Sequence, residues 1–206
     1  MKCPLCNSKS TLIFKDSHYR CDNCLAYFKD SNLYLIGQDE KKIYDQHKND
    51  ANDIRYQDFL SPITNAVLKE IPKNSIGLDF GCGTNSAIIK VLEDNNYNCL
   101  GYDIFYKDDK ELLDMKYDYI TSSEVIEHFY NPKKEFELLV SMLKPNGALY
   151  LMTDVFDENK KDFSTWYYKN DPTHVFMYQN KTFDVIKELF GFKKVVVHNR
   201  LIKLYL

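Results

Sequence analysis

The chain has 206 residues, enough for one full domain and something small beside it, and 44% of them are apolar, the share an ordinary packed core requires. A formal charge of −3 leaves no global basic field of the kind that advertises nucleic-acid binding. No apolar run approaches membrane-spanning length and Met1-Lys2-Cys3-Pro4 lacks the apolar core of a secretion signal, so a cytoplasmic location with no membrane partner is expected.

The first segment carries Cys3-Pro4-Leu5-Cys6 and Cys21-Asp22-Asn23-Cys24, two C-x-x-C knuckles with 14 residues between them. Leu12, Phe14, Tyr19 and Tyr27 alternate between and after the knuckles. Four thiolates at that spacing close a tetrahedral site, so residues 1–36 read as a zinc ribbon held by Cys3, Cys6, Cys21 and Cys24. With no open position, such a metal supports a fold too small to support itself and does not catalyse. The rival is a redox pair, which needs only one C-x-x-C at a helix start, and a reducing compartment disfavours disulfides. Lys2, Lys9, Lys15, Arg20 and Lys29 outnumber Asp16, Asp22 and Asp30 in this stretch, which permits a grip on RNA. A structural cap or a dimer contact explains the segment equally well, and the oligomeric state stays open.

From Asp39 to Ile71 the residues Ile43, Tyr44, Ile54, Phe59, Leu60, Ile63, Val67 and Leu68 recur at spacings of three and four, which predicts helices. Ser61-Pro62 suits a fresh helix start and Ile71-Pro72 an end. Residues 76–80 then read as a buried parallel strand running into Gly81-Cys82-Gly83-Thr84-Asn85 and a helix from Ala87 to Leu92, with a second strand closing on Asp103. Gly81 and Gly83 let the backbone approach a ligand with no Cβ in the way, and the helix start aims free N–H groups at it. Asp103 is spaced to take both hydroxyls of a ribose. The carboxylate of Asp79, just ahead of the glycines, would repel a dinucleotide's pyrophosphate and attract a methionine-type ammonium. The stretch is a nucleoside-cofactor pocket.

Only 13 residues separate Asp103 from the next strand at Tyr117, and within them Ile104-Phe105-Tyr106 offers apolar surface for an adenine. Residues 117–121 form a central strand that runs into Ser122-Ser123-Glu124-Val125-Ile126-Glu127-His128. Ligands in open α/β sheets lie beyond the carboxyl ends of strands, so Ser122 to Glu124 should face the cofactor and the substrate. Glu124, Glu127 and His128 are spaced to share one face of a helix. With His174, from Asp171-Pro172-Thr173-His174, they make a candidate divalent-metal site. Asn131-Pro132 starts another helix, the Lys144-Pro145-Asn146-Gly147 turn launches a buried strand to Thr153, and residues 154–175 form a lid with Phe163, Trp166, Tyr167 and Tyr168. That lid either stacks on a planar substrate or builds a small core of its own. Residues 181–190 form an amphipathic helix stopped by Gly191, followed by two strands joined at His198-Asn199-Arg200.

The acid-flanked glycine turn, the segment from Tyr117 to His128 and the L-K-P-N-G turn resemble the class I S-adenosylmethionine-dependent methyltransferases. That resemblance implies, for residues 37–206, an α/β doubly wound, mostly parallel seven-stranded sheet with a Rossmann-like order and a reversed last strand. Asp79, Gly81, Gly83, Asp103, Ile104 and Ser122 would then hold S-adenosylmethionine, with Tyr44 and Arg55 folding over it. The E-V-I-E-H segment is similar to the ubiquinone-pathway O-methyltransferases and to the enzymes that methylate the terminal 2′-hydroxyl of small RNAs. In the latter, matching residues hold magnesium, which carries over as Mg or Mn on Glu124, Glu127, His128 and His174. A metal-free reading with His174 or His128 as general base stands beside it. The N-terminal ribbon is similar to that of ribosomal RNA guanine methyltransferases. The expectation is a methyltransferase acting on a hydroxyl of a small molecule or an RNA. The alternatives are an adaptor that binds the cofactor without turnover while its ribbon docks a protein or nucleic acid, and a nicotinamide oxidoreductase, against which Asp79 and the reversed hairpin speak.

Overall fold

The computed structural model describes residues 1–15, 17–35, 37–46 and 49–206. Ile36, the expected end of the ribbon, lies outside them. In chain order the strands and α-helices are β1 (Ser10–Phe14), β2 (His18–Cys21), β3 (Tyr27–Lys29), α1 (Gln38–Tyr44), α2 (Ile54–Glu70), β4 (Ile76–Phe80), α3 (Ala87–Asp94) and β5 (Asn98–Tyr102). They continue as β6 (Tyr117–Ser123), α4 (Pro132–Ser141), β7 (Leu143–Met152), β8 (Phe176–Met177), α5 (Asn180–Phe190), β9 (Lys194–His198) and β10 (Leu201–Tyr205).

The central sheet has the order β5-β4-β6-β7-β10-β9. Its first four strands are parallel and β10 runs antiparallel to both neighbours, which is the reversed final hairpin the sequence predicts. Among the described residues the sheet has six strands, not seven. The reason is length: between Asp103 and Tyr117 the chain makes a tight Asp103–Lys107 bridge and a single 3-10 turn, Lys110–Asp114, with no room for a further helix and strand.

Alternation along the central strands assigns two faces. Tyr119, Ala148, Tyr150 and Met152 point to one face, where they bury Leu60, Ile63 and Val67 of α2 and Ile88 and Leu92 of α3. Leu78, Ile120, Leu149 and Leu151 point to the other, onto Phe136 and Leu139 of α4 and Phe183 and Ile186 of α5. Gly77 is what lets Tyr119 lie flat across β4, since a Cβ there would fall 2.1 Å from the tyrosine ring. Helix α2 corrects one expectation. Pro62 does not begin a helix but sits inside α2, which Asp53 caps by accepting from the Arg55 amide. The missing proline N–H and ring clash cost about 3 kcal/mol, and the burial of Leu60, Ile63, Thr64, Ala66 and Val67 along one stripe outweighs them.

The N-terminal strands form an antiparallel sheet of order β1-β2-β3-β8, so its fourth strand comes from the far end of the chain. Leu5, Ala26 and Phe28 of this ribbon join the same apolar cluster as Phe176, Tyr178 and Phe183. The Lys144–Gly147 turn is an excursion inside β7, with Asn146 at φ 64 and a shift in the pairing with β6. Among the described residues no helix is long and apolar enough to cross a membrane.

Candidate functional site

At the carboxyl end of β4 the chain leaves the sheet through Gly81 (φ 81) and Gly83 (φ 62). A Cβ on Gly81 would collide with Val125, 2.4 Å away, so the turn packs directly against the segment that follows β6. Asp79 is 3% exposed. One of its oxygens accepts from Ser86 Oγ at 2.6 Å and the other from Thr121 Oγ1 at 2.8 Å. Burial pushes this carboxyl up to about 6, with the Asp103 charge adding and the two hydroxyls opposing. Ser86 also caps α3 through the Ile89 amide, so one side chain ties the helix start to the buried acid. Gly81, Ser86, Tyr56, Leu60 and Ser123 line a narrow cleft of about 20 Å³ over Asp79.

Asp103 closes the other side. It accepts from the Gly83 amide at 2.9 Å, the Phe105 amide at 2.8 Å and the Tyr106 amide at 3.1 Å. Three backbone donors fix both oxygens at the mouth of the glycine turn. Ile104 is left 63% exposed beside them, and Tyr44 of α1 packs against both Phe105 and His128. Tyr44 thus stands between the two halves of the pocket, with its hydroxyl on Glu40 at 2.7 Å. Arg55 does not: it pairs with Asp53 at the start of α2, and its side chain is 91% exposed. Ser122 also departs from expectation. Its hydroxyl donates to the Phe80 carbonyl at 2.8 Å and is fully buried between β6 and β4, so Ser123 supplies the cleft wall instead.

Beyond β6 the expected helix face is absent. Glu124 adopts φ 52, the chain reverses, and Ile126–His128 makes one 3-10 turn before α4. The two glutamates still meet at the Tyr168 hydroxyl, which reaches Glu124 at 3.3 Å and also donates to Glu127, but their other partners differ. Glu124 pairs with Arg200 from the β9–β10 turn, whose guanidinium lies over the rings of Phe59 and Tyr168. Glu127 is fully buried and accepts from the Tyr168 hydroxyl, while its second oxygen has no hydrogen-bond partner among the described residues. One oxygen of Glu124 is likewise buried and unpartnered. Burial pushes both carboxyls up, and the charge of Glu127 adds to the effect on Glu124.

The ring of His128 lies 4.9 Å from that of His174. His128 Nδ1 donates to the Thr173 carbonyl at 3.0 Å, and His174 Nδ1 to the Tyr168 carbonyl at 2.7 Å. A carbonyl can only accept, so both imidazoles carry the Nδ1 proton and keep the lone pair on Nε2, which in His174 lies 4.0 Å from Glu127. Burial holds both below the ordinary histidine range. Ligand atoms of Glu127, His128 and His174 lie within 4.8 Å of one another. Two neutral imidazole nitrogens, each oriented by a carbonyl, and an orphaned buried carboxylate oxygen fit a divalent cation. Glu124 stands outside that group.

In the ribbon, Cys3 and Cys24 place their sulfurs 3.7 Å apart and Cys6 and Cys21 3.5 Å apart. All four lie within 4.8 Å of one another. A tetrahedron with metal–sulfur bonds of about 2.3 Å has sulfurs about 3.8 Å apart, so the donor set fits. The Asn23 and Cys24 amides both point at Cys21 Sγ at 3.4 Å, as a knuckle around a thiolate requires.

Trp166 is 5% exposed and packs with Phe156, Phe163 and Tyr168 in a small core shared with Tyr27 of the ribbon, while Tyr167 stays 62% exposed. Sequence reasoning missed Ser86 and Arg200. Ser86 ahead of the apolar Ala87-Ile88-Ile89 run is an N-cap signal, whereas nothing local marks Arg200.

A family model described as a methyltransferase domain matches residues 53–197. No curated protein matches the chain by sequence. Among solved structures, the Burkholderia thailandensis 1,6-didemethyltoxoflavin-N1-methyltransferase, with bound 1,6-didemethyltoxoflavin and S-adenosylhomocysteine, superposes with a TM-score of 0.60 at 7% identity, covering 96% of this chain and 99% of that one. Human N-acetylserotonin methyltransferase, in complex with S-adenosylmethionine, gives 0.56 at 12% identity, covering 72% of this chain and 53% of its own. The chain therefore aligns with about half of the human enzyme's length. At these identities the likeness concerns the fold.

Proposed function

The chain belongs to the methyltransferase-domain family, and on that premise we propose that it is an S-adenosylmethionine-dependent methyltransferase acting on a hydroxyl group of a small molecule or an RNA. One observation carries the proposal. The acid-lined glycine turn and the cluster of Glu127, His128 and His174 meet at the carboxyl end of the same sheet, with Tyr44 touching both sides.

In this reading Asp79, whose carboxylate is oriented by Ser86 and Thr121, takes the ammonium of the methionine end where the glycine turn leaves room for it. Asp103 orients the ribose, and Ile104 covers the adenine. S-adenosylmethionine supplies an already activated methyl group, so this chain's residues contribute alignment and the exclusion of water. On the acceptor side, Glu127, His128 and His174 would hold Mg or Mn, which lowers the pKa of a bound hydroxyl. Without that ion, the Nε2 of His174 or His128 is the base that takes the acceptor's proton. Glu124 and Arg200 form the wall between acceptor and solvent. Cys3, Cys6, Cys21 and Cys24 would hold zinc, with residues 1–36 as the ribbon unit and 37–206 as the methyltransferase unit.

The test is transfer of labelled methyl from S-adenosylmethionine into fractionated extract, with and without added magnesium or manganese. Label in nuclease-sensitive material identifies an RNA acceptor, and label in the small-molecule fraction a metabolite. Tight S-adenosylhomocysteine binding with no labelled product in any fraction would overturn transfer in favour of a cofactor-binding adaptor.

A further inference from the structure

We infer that the ribbon is the positioning element of the acceptor half of the pocket, and that Lys29 is the residue through which it acts. The catalytic consequence rests on the function proposed above, but the structural coupling does not.

Strand β3 has two partners. On one edge it pairs with β2, matching His18 with Lys29, Tyr19 with Phe28 and Arg20 with Tyr27. On the other it pairs with β8, matching Tyr27 with Met177 and Phe28 with Phe176. The ladder continues toward the site, because the Lys29 amide donates to the Val175 carbonyl at 2.9 Å and the Val175 amide donates to the Glu127 carbonyl at 2.9 Å. Two consecutive hydrogen bonds therefore run from Lys29 of the ribbon to the backbone of the buried acid.

The side chain of Lys29 makes a second connection. It is 7% exposed overall and donates from Nζ to the Pro172 carbonyl at 2.8 Å and the Asp171 carbonyl at 3.4 Å. Those carbonyls belong to the turn whose next two residues set the imidazoles: Thr173 supplies the carbonyl that fixes His128, and His174 is the other ring. A buried ammonium is costly to leave without acceptors. The lysine and the turn therefore hold one another in place.

A third connection lies further along the lid. Glu158 receives both Arg20 nitrogens, at 2.8 and 2.7 Å, and the Tyr27 hydroxyl at 3.0 Å. Phe163 stacks on Tyr27 at 4.6 Å. Cys24, a ribbon cysteine, accepts through its carbonyl from Thr182 Oγ1 at 2.9 Å. The segment that carries Tyr168 and His174 is thus clamped by the ribbon before and after it.

The experiment uses the full zinc-loaded chain and compares wild type with Lys29→Met and Glu158→Gln. Amide hydrogen exchange over residues 168–176 is the primary readout, with zinc content and S-adenosylhomocysteine affinity measured alongside. Lys29→Met is expected to speed exchange in that segment by about tenfold or more, with β4 and β6 unchanged, zinc content unchanged and S-adenosylhomocysteine affinity within about threefold of wild type. Lys29→Arg, which keeps donors, should recover part of the protection. Glu158→Gln, at a half-buried position less prone to unfold the chain, should loosen residues 156–168 first. Unchanged exchange over 168–176 in Lys29→Met, or equal loosening of the whole central sheet, overturns the coupling. Failure of the wild-type chain to bind S-adenosylhomocysteine would overturn the proposed function and leave the exchange result standing.

Discussion

Replacing Asp79 by Asn should make the protein more stable and a worse cofactor binder at the same time. In the folded chain the carboxyl is pushed from 3.8 to about 6. A folded-state value above the unfolded one means that folding is favoured by protonation, so stability is fully present below about 3.8 and declines as pH rises through 6. Two units at about 1.36 kcal/mol each make the ionised form about 3 kcal/mol costlier to fold at pH 7.5. Asn removes that cost but must donate where Asp accepted, and its amide facing Ser86 forces that hydroxyl to turn, a loss of about 1 kcal/mol. The net gain of about 2 kcal/mol corresponds to a rise in Tm of roughly 4 to 8 °C for a chain of this length. At pH 5 the folded carboxyl is mostly protonated but the unfolded one is still mostly ionised, so roughly half of the cost remains, and the net gain should shrink to under about 1 kcal/mol and vanish only near pH 4.5. S-adenosylhomocysteine, whose ammonium meets this group in the proposed site, should bind at least about tenfold more weakly, and wild-type affinity should itself fall as pH drops below 6. Thermal melts at pH 7.5 and pH 5 and calorimetric titration check these outcomes. A variant that melts lower than wild type at pH 7.5, or one that binds S-adenosylhomocysteine unchanged, refutes the reasoning.

Asp103→Ala should weaken S-adenosylhomocysteine by roughly tenfold to a hundredfold in calorimetry, because a charged acceptor is lost and the Gly83, Phe105 and Tyr106 amides are released together. Unchanged affinity would remove Asp103 from the ribose. Cys6→Ser should lose zinc in elemental analysis and loosen β1 to β3 in hydrogen exchange, whereas retention of full zinc stoichiometry would sink the four-cysteine site. Arg200→Ala should lower stability by about 1 to 3 kcal/mol, since the half-buried Glu124 then loses its cation. A melt within a degree of wild type would show that water replaces the pair.

What could be read in advance follows from whether the physical cause was local. Gly81, Gly83, Asp79 and Asp103 belong to two strand ends and the turn between them, so composition and spacing carry the cofactor half. The two C-x-x-C knuckles are local for the same reason. Glu124, Glu127 and His128 were misplaced because spacing alone assumes a helix. The chain instead reverses at Glu124, a conformation a non-glycine residue holds only when its surroundings demand it, here the close packing of Val125 on Gly81. Arg200 and Lys29 reach the site from far along the chain, and no periodicity links them to it. Pro62 misled in the opposite direction, because a local breaker lost to the burial of a whole helical stripe. The seventh strand failed on a simple count of residues already visible between Asp103 and Tyr117.

Glu127 separates the two mechanisms that remain for the acceptor side. Its carboxylate has one oxygen on Tyr168 and another with no hydrogen-bond partner among the described residues, and the Nε2 lone pairs of two neutral imidazoles give it no compensating charge. In a metal-free protein that arrangement is a burden, and Glu127→Gln should raise the melting temperature. In a metal-binding protein the wild-type chain should gain about 2.7 kcal/mol of stability when manganese reaches a hundred times its dissociation constant, and Glu127→Gln should lose that response. Glu124→Gln should keep it, because Arg200 already holds that carboxylate and Glu124 is not among the three residues whose ligand atoms converge. A manganese titration of thermal stability on the three proteins distinguishes the cases. If wild type shows no shift, the Nε2 of His174 is left as the base. If Glu124→Gln abolishes the shift as completely as Glu127→Gln, the cation sits between the glutamates and the Arg200 pair must open to admit it.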